Sequence, residues 1–216
     1  MSTAAYFLVV LRTDKGHYRC RMPGQFSQTG SDPAAKITDR LFFAIFPEAA
    51  AAARIARLAR QLRGEHGLKG KPLETQRLHL TLHHLGDYPC LPQDIVAASV
   101  EAAATVAMSP FEVSFDRALS FPDRPANRPF VLRGGDGVGA LAALQHTLGV
   151  ALGRAGLAAG RTEPPYTPHV TLLYDDSLVA ERPVETVAWT VCEFVLVHSL
   201  LGRKLYVPLA RWPLAT

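Results

Sequence analysis

The segment RLHLTLHHL, residues 77–85, is the part of this 216-residue chain that says most about its fold. Its leucines at 78, 80 and 82 alternate with His79, Thr81 and His83, which is the period of a half-buried β-strand. Alternate side chains of a strand point to the same side, so His79 and Thr81 should share one face, about 6.7 Å apart along the strand. We expect the leucines to anchor the opposite face in the core.

The same phrase returns further along the chain, because His79-Leu-Thr-Leu and His169-Val-Thr-Leu both read HxTL. Each copy presents a proton-transfer group beside a small hydrogen-bond donor. One copy would be weak evidence, since a lone histidine in a strand is usually structural. Two copies, each in strand context and in corresponding halves of the chain, predict a pair of histidines and a pair of threonines around one small anion.

Helices and strands alternate around the two motifs. Strand patterns occur at 40–46, 111–115, 129–132, 168–174, 187–198 and 205–212, and helix patterns follow Pro47, span 92–107, and carry the leucines at 141, 144, 148 and 152 up to Gly156 and Gly160. The strands alternate in polarity, unlike fully buried parallel strands. We therefore predict an α+β fold with two lobes, each contributing a sheet with one polar face to a groove between them.

The chain divides into two regions. Residues 1–38 show no sustained period and include a cluster of Gln, Ser, Thr, Gly, Asp and Pro at 25–33. We interpret them as an N-terminal extension and linker, whose flexibility the sequence leaves open. Residues 39–216 are predicted to form a single bilobal domain.

The composition, with 48% hydrophobic and 19% charged residues, is that of a soluble globular domain. Cys20, Cys90 and Cys192 are odd in number and widely spaced, which predicts neither a disulfide framework nor paired CxxC motifs and favours a cytoplasmic location. The apolar run at 4–11 is too short to span a bilayer, so we expect no membrane association. A formal charge of +4 suits an anionic substrate without requiring one.

The chemistry that fits two histidines and two threonines is phosphate transfer. Opening a five-membered cyclic phosphate requires a base that takes a proton from water and an acid that protonates the departing ribose oxygen. Imidazoles, whose ordinary pKa is about 6.5, can supply both functions around neutral pH. We therefore expect no metal and no other cofactor.

These features resemble the 2H phosphoesterase superfamily, specifically its RNA 2′,3′-cyclic phosphodiesterase or 2′-5′ RNA ligase family. The similar segments are RLFFAIFPE at 40–48, RLHLTLHHLGD at 77–87, PPYTPHVTLLYDD at 164–176 and GRKLYVPLARWPL at 202–214. The resemblance implies two pseudo-symmetric lobes with antiparallel-rich sheets that face a central cleft. It also implies metal-independent hydrolysis of RNA 2′,3′-cyclic phosphate ends to 2′-phosphomonoesters, with reverse 2′-5′ RNA ligation as a side activity.

The resemblance also assigns roles to the motif residues. His79 would donate a proton, His169 would accept one, and Thr81 and Thr171 would hold phosphate oxygens. The partner is then an RNA or nucleotide with a 2′,3′-cyclic phosphate end, and we expect the enzyme to be a monomer.

One position departs from the family pattern. The family often carries an arginine a few residues after its second motif, and Tyr174 occupies that position here. A tyrosine can stack on a base or donate one hydrogen bond, but it lacks the bidentate, permanent charge of a guanidinium. Tyr174 is thus a candidate substrate-binding residue, and Arg203 or Lys204 in the last turn are candidates for the missing charge.

Other residues near the motifs admit two interpretations. His79, His83 and His84 suggest a metal site, but His84 would face away on a regular strand, and no Cys, Asp or Glu close by completes the ligand set. Tyr166 is equally suited to stacking on a nucleobase and to core packing. At most one side chain of the pair at 42 and 43 can line the groove. The helix arginines at 54, 57, 60 and 63 fit a solvated face better than a nucleic-acid surface.

Two alternative functions stay open. The same histidines would serve a phosphodiesterase for another cyclic nucleotide, such as an ADP-ribose cyclic phosphate. A noncatalytic module that binds nucleotides or RNA ends would use the same cleft, but binding alone does not require two proton-transfer groups.

Overall fold

The structure is a computed structural model that describes residues 36–122, 125–157 and 166–215. The predicted N-terminal extension up to residue 35, and Gly160, lie outside the described residues. Within them the strands are β1 (Asp39–Ile45), β2 (Leu80–Tyr88), β3 (Phe111–Ser120), β4 (Arg128–Arg133), β5 (His169–Asp175), β6 (Arg182–Val191), β7 (Glu193–Leu200) and β8 (Leu205–Pro213). The helices are α1 (Ala49–Glu65), α2 (Gln93–Ala103) and α3 (Gly139–Arg154), with short 3-10 helices at Thr75–Arg77 and Asp136–Val138.

All strands pair antiparallel in the order β6-β3-β4-β5-β2-β1-β7-β8. At the centre, β2 and β5 are joined by one register pair, Leu80 with Val170. The sheet therefore consists of two four-stranded halves, which we name the His79 half (β2-β1-β7-β8) and the His169 half (β6-β3-β4-β5). The predicted α+β class with two antiparallel sheets is confirmed, and the two sheets are joined at this pair.

The helices cover one face of the sheet and close the main core. The predicted helical faces are buried there, with Ile55, Leu58 and Leu62 on α1 and the leucines at 141, 144, 148 and 152 on α3. Helix α1 follows β1 but packs against β5 and β6, whereas α3 contacts both β2 and β3. Both helices thus tie the two halves together and leave the opposite face of the sheet for the site.

The predicted strand at 187–198 is wrong, because the chain changes sheets within it. Strand β6 ends at Val191 on the edge of the His169 half, and β7 begins at Glu193 inside the His79 half. Only Cys192 separates them, and consecutive Cα atoms are about 3.8 Å apart. The two halves therefore also meet here, a change of partner that a continuous apolar run does not reveal.

The faces predicted for His83 and His84 are also wrong. The register of β1 with β2 shifts between Phe43 and Ala44, so that His84 lies opposite Phe42 and His83 lies opposite Phe43. A β-bulge of this kind inverts the alternation of the residues that follow, here up to a second shift between His84 and Gly86. The His83 ring consequently bonds to the Gln145 carbonyl of α3 at 2.7 Å, on the helix-covered face.

The described part of the chain contains no helix that combines the length and the apolarity needed to cross a bilayer.

Candidate active site

The two HxTL motifs meet at the junction of the two halves. Leu80 and Val170 pair across it, and both side chains are fully buried in the core. Neighbouring residues of a strand point to opposite faces, and an antiparallel register places the residues that flank a pair across from each other. The polar face at the junction therefore carries two cross-strand pairs, His79 with Thr171 and Thr81 with His169. An approximate two-fold axis between Leu80 and Val170 relates one pair to the other.

Both imidazoles are anchored in the same way. His79 Nδ1 lies 2.7 Å from the carbonyl oxygen of Arg77, and His169 Nδ1 lies 2.8 Å from that of Thr167. Because a carbonyl oxygen only accepts hydrogen bonds, each Nδ1 must carry the proton. In the neutral imidazoles Nε2 is thus the unprotonated nitrogen that is able to exchange a proton with a substrate.

Aromatic rings surround His79. The centroid of its ring lies 5.2 Å from that of Phe42, 5.3 Å from that of Tyr206 and 6.1 Å from that of Phe46. Phe42 belongs to a small apolar cluster separate from the main core, whereas Phe43 packs in the main core. The prediction that at most one of these two phenylalanines lines the groove is confirmed. In the other half, the ring of Phe121 meets His169 edge to face at 4.9 Å.

The protonation of both histidines is disfavoured. Burial lowers the pKa of His79 to about 4, and the charges of His169 and Arg77 act in the same direction, against the raising effect of the Arg77 carbonyl. Burial also lowers the pKa of His169, opposed by its hydrogen bond to Thr167. Because both pKa values lie below the ordinary value of 6.5, both imidazoles are neutral at pH 7.

Arg77 is a site residue that the sequence analysis missed. Its guanidinium carbon lies 5.3 Å from the centroid of the Tyr206 ring, a cation–π arrangement. Its Nε is buried and has no hydrogen-bond partner among the described residues. The positive charge of Arg77 is therefore held near His79, with its Nε donor unpaired among the described residues. In the sequence, the one sign of this role was its position two residues before the motif histidine.

The two threonines are half-buried beside the histidines. In the described parts of the chain, neither hydroxyl makes a hydrogen bond. The hydroxyl of Tyr166 donates to the carbonyl oxygen of Thr81 at 3.1 Å, and its ring packs against the main core. Burial raises the pKa of Tyr166. Core packing therefore describes Tyr166 better than base stacking does.

Tyr174 lies on β5 with 43% of its surface exposed. It is close enough to Arg40 to influence the pKa of that guanidinium. Arg40 in turn forms a bidentate ion pair with Asp87, in which Nε and Nη2 donate to the two carboxylate oxygens at 2.6 and 2.7 Å. The position of the family arginine thus carries a tyrosine with a paired arginine nearby.

Arg203 is exposed in the turn between β7 and β8, where its backbone N–H donates to the Leu200 carbonyl. The structure shows no contact between its side chain and either histidine. His84 bonds to Asp87 at 3.0 Å. Across the residues that the structure describes, no three His, Cys, Asp or Glu side chains converge as metal ligands.

Comparisons with known proteins identify the family and the fold. Residues 46–203 match the model of the 2′-5′ RNA ligase superfamily. Among solved structures, E. coli LigT complexed with 3′-AMP is 28% identical with a TM-score of 0.65, over 83% of this chain and 99% of that chain. A structure described as a phosphoesterase is also 28% identical, with a TM-score of 0.66, over 82% of this chain and 99% of its own.

A protein of Thermus thermophilus, TT0787, shares the fold at 24% identity, with a TM-score of 0.65, over 81% of this chain and 97% of its own. No curated protein sequence matches the chain.

Proposed function

This chain belongs to the 2′-5′ RNA ligase superfamily, and from that we propose that it hydrolyses RNA 2′,3′-cyclic phosphate ends to 2′-phosphomonoesters without a metal. The observation that carries the proposal is the pairing of two HxT motifs across Leu80 and Val170, with the Nδ1 atom of each histidine bonded to a backbone carbonyl so that Nε2 is left for proton transfer. Two equivalent proton-transfer groups around one small space are what an in-line displacement at phosphorus requires.

In the proposed reaction, His169 Nε2 takes a proton from the attacking water as the new P–O bond forms. The P–O3′ bond breaks on the opposite side, and His79 Nε2 donates its proton to the departing 3′ oxygen. The phosphate stays on the 2′ oxygen. His169 has gained the proton of the attacking water, and His79 has given its proton to the 3′ oxygen. The hydroxyls of Thr81 and Thr171 would donate hydrogen bonds to the two oxygens of phosphorus that do not react.

The acid role of His79 depends on the bound substrate. In the free cleft the pKa of His79 is lowered to about 4 by burial, with His169 and Arg77 adding to the effect. A phosphate anion nearby favours the imidazolium and offsets these costs. We therefore propose that substrate binding is accompanied by proton uptake at His79, with the Arg77 guanidinium supplying a charged contact to the same phosphate.

The ligands of a relative support a nucleotide substrate. Structures of E. coli LigT have been obtained with 3′-AMP, ATP, NADP+ and phosphate. By similarity, the cleft of this chain would accept a nucleotide phosphate between its histidines. The same site with a 5′-hydroxyl in place of water would join RNA ends through a 2′-5′ bond, and the abundance of water makes hydrolysis the net direction.

The test is incubation of the purified protein with an RNA oligonucleotide that ends in a 2′,3′-cyclic phosphate, followed by identification of the product end. We expect a 2′-phosphate. A 3′-phosphate would contradict the assigned geometry, because the 2′ oxygen would then be the leaving group. A lack of turnover on cyclic ends of all four nucleotides would contradict the proposed activity, and turnover of an ADP-ribose cyclic phosphate alone would favour that alternative substrate.

A further inference from the structure

A row of side chains extends from His169 across its half of the sheet. His169 on β5 pairs with Arg133 on β4, and Arg133 pairs with Arg117 on β3. Directly paired residues of antiparallel strands project to the same face. Neighbouring strands are about 4.8 Å apart. The backbone of Arg133 therefore lies one strand away from that of His169, and the backbone of Arg117 lies two strands away.

The two arginines are exposed, with 44% of the Arg133 side chain and 50% of the Arg117 side chain accessible. Both contact Glu181, whose carboxylate oxygens lie 3.0 Å from Arg117 and 3.3 Å from Arg133. Arg117 also has Asp116 at 3.8 Å. Arg133, the arginine next to His169, thus has only a share of one carboxylate among the residues that the structure describes.

Like charges directly opposite each other destabilise a sheet. Glu181 and Asp116 offset this repulsion, and Arg133 shares the Glu181 carboxylate with Arg117. Arg133 shares the face of the sheet that carries His169, and a guanidinium there is suited to a phosphate, which it binds through two parallel hydrogen bonds.

The opposite wall of the cleft differs in character. Around His79 it presents rings, of which Phe46 and Tyr206 are half-buried. Unpaired bases stack on such rings, whereas the nucleic-acid backbone follows positive charge. The two walls are thus complementary to the two parts of a single-stranded polynucleotide.

We propose that Arg133, together with Arg117, forms a second phosphate subsite that binds the phosphodiester on the 5′ side of the cyclic end. The substrate is then an oligonucleotide and not a cyclic mononucleotide. This inference rests on the proposed function, since it assumes that the cyclic end lies between the two histidines.

The test compares two substrates with the same terminal nucleotide, a 2′,3′-cyclic mononucleotide and a short RNA with a 2′,3′-cyclic end. In Arg133→Gln the ratio of kcat/KM for the RNA to that for the mononucleotide should fall on the order of tenfold, the usual worth of a hydrogen bond to a charged group. Glu181→Gln should raise this ratio, because it frees Arg133. Arg60→Gln, which removes an exposed charge on α1, is the matched control.

Salt dependence gives a second measurement. For the RNA, log(kcat/KM) should fall with log salt, and the slope should become shallower by about 0.7 in Arg133→Gln, the value for one single-strand phosphate contact. Arg133→Lys should keep the slope, because the charge stays. If Arg133→Gln folds and leaves the ratio of kcat/KM for the two substrates unchanged, including the case of equal losses for both, the proposed subsite is wrong.

Binding without turnover separates this inference from the proposed function. Fluorescence anisotropy of a labelled RNA that ends in a 2′-phosphate should show weaker binding to Arg133→Gln than to the wild type. If Arg133→Gln binds this RNA more weakly but the wild type opens no cyclic end, the subsite stands and the proposed activity is wrong. If the protein opens cyclic ends and Arg133→Gln binds the RNA as tightly as the wild type does, the proposed activity stands and the subsite is wrong.

Discussion

Leu80 on β2 pairs with Val170 on β5, and this register pair joins the two halves of the sheet within the described residues. A histidine precedes each member of the pair and a threonine follows it. The approximate two-fold axis of the site therefore passes between two buried apolar side chains that make no contribution to the chemistry themselves. Their packing in the core fixes the separation of the two strands that carry the imidazoles.

Replacement of either His79 or His169 with Ala should lower kcat on the order of 10²- to 10⁴-fold, the usual worth of a positioned acid or base. The double variant should lose less than the product of the single effects, because neither group works without the other. Both side chains are half-buried at the cleft, so thermal unfolding should change little. His146→Ala, an exposed histidine on α3, serves as the control, and near-normal turnover in either folded active-site variant would contradict the mechanism.

The pH dependence of kcat/KM should be a bell with its maximum on the acid side of pH 6.5. Catalysis requires one charged and one neutral imidazole, and the pKa of His79 is lowered to about 4 while that of His169 is also lowered by burial from 6.5. The singly protonated enzyme is therefore lost as the pH rises above the higher of the two values, and activity should then fall about tenfold per pH unit. A maximum above pH 7 in steady-state kinetics would contradict this assignment.

Arg77→Gln should lower kcat/KM on the order of 10- to 100-fold, the worth of a charge-assisted hydrogen bond to the phosphate. The same change should raise the pKa of His79, because the charge of Arg77 lowers it in the wild type. The acid limb of the bell should therefore move to higher pH, which a purely structural role would not produce. Arg60→Gln is again the charge-matched control, and an unmoved acid limb would remove Arg77 from the site.

Tyr174→Ala should raise KM more than it lowers kcat, the sign of lost ground-state binding at the position where the family often has an arginine. Its exposure of 43% leaves the ring accessible to a substrate. Tyr174→Phe separates the two modes of contact, since a stacking role survives it and a hydrogen-bonding role does not. Steady-state kinetics in which KM is the same for the wild type and Tyr174→Ala would exclude the residue from substrate binding.

Activity should survive exhaustive treatment with EDTA, because the acid and the base are both side chains. The described residues offer no group of three His, Cys, Asp or Glu that would hold a metal. Turnover of a cyclic-phosphate RNA before and after chelation and dialysis is the measurement. Loss of activity that zinc or manganese restores would contradict a metal-independent reaction.

Several features followed from the sequence because they depend on local periodicity. The alternation around His79 and His169 predicted that each shares a face with its threonine, and the spacing of the leucines on α3 predicted their burial. A strand repeats every two residues and a helix about every 3.6, so local spacing alone determines which side chains share a face.

Other features depended on which strands pair. The bulge that inverts His83 and His84 exists only in the register of β2 with β1, and the change of sheet at Cys192 leaves no local pattern. The position of Arg77 over Tyr206 and that of Arg133 beside His169 both join residues far apart in the chain. Such contacts, and the burial that lowers the pKa of His79, are set by the packing of distant segments, so only the tertiary structure decided them.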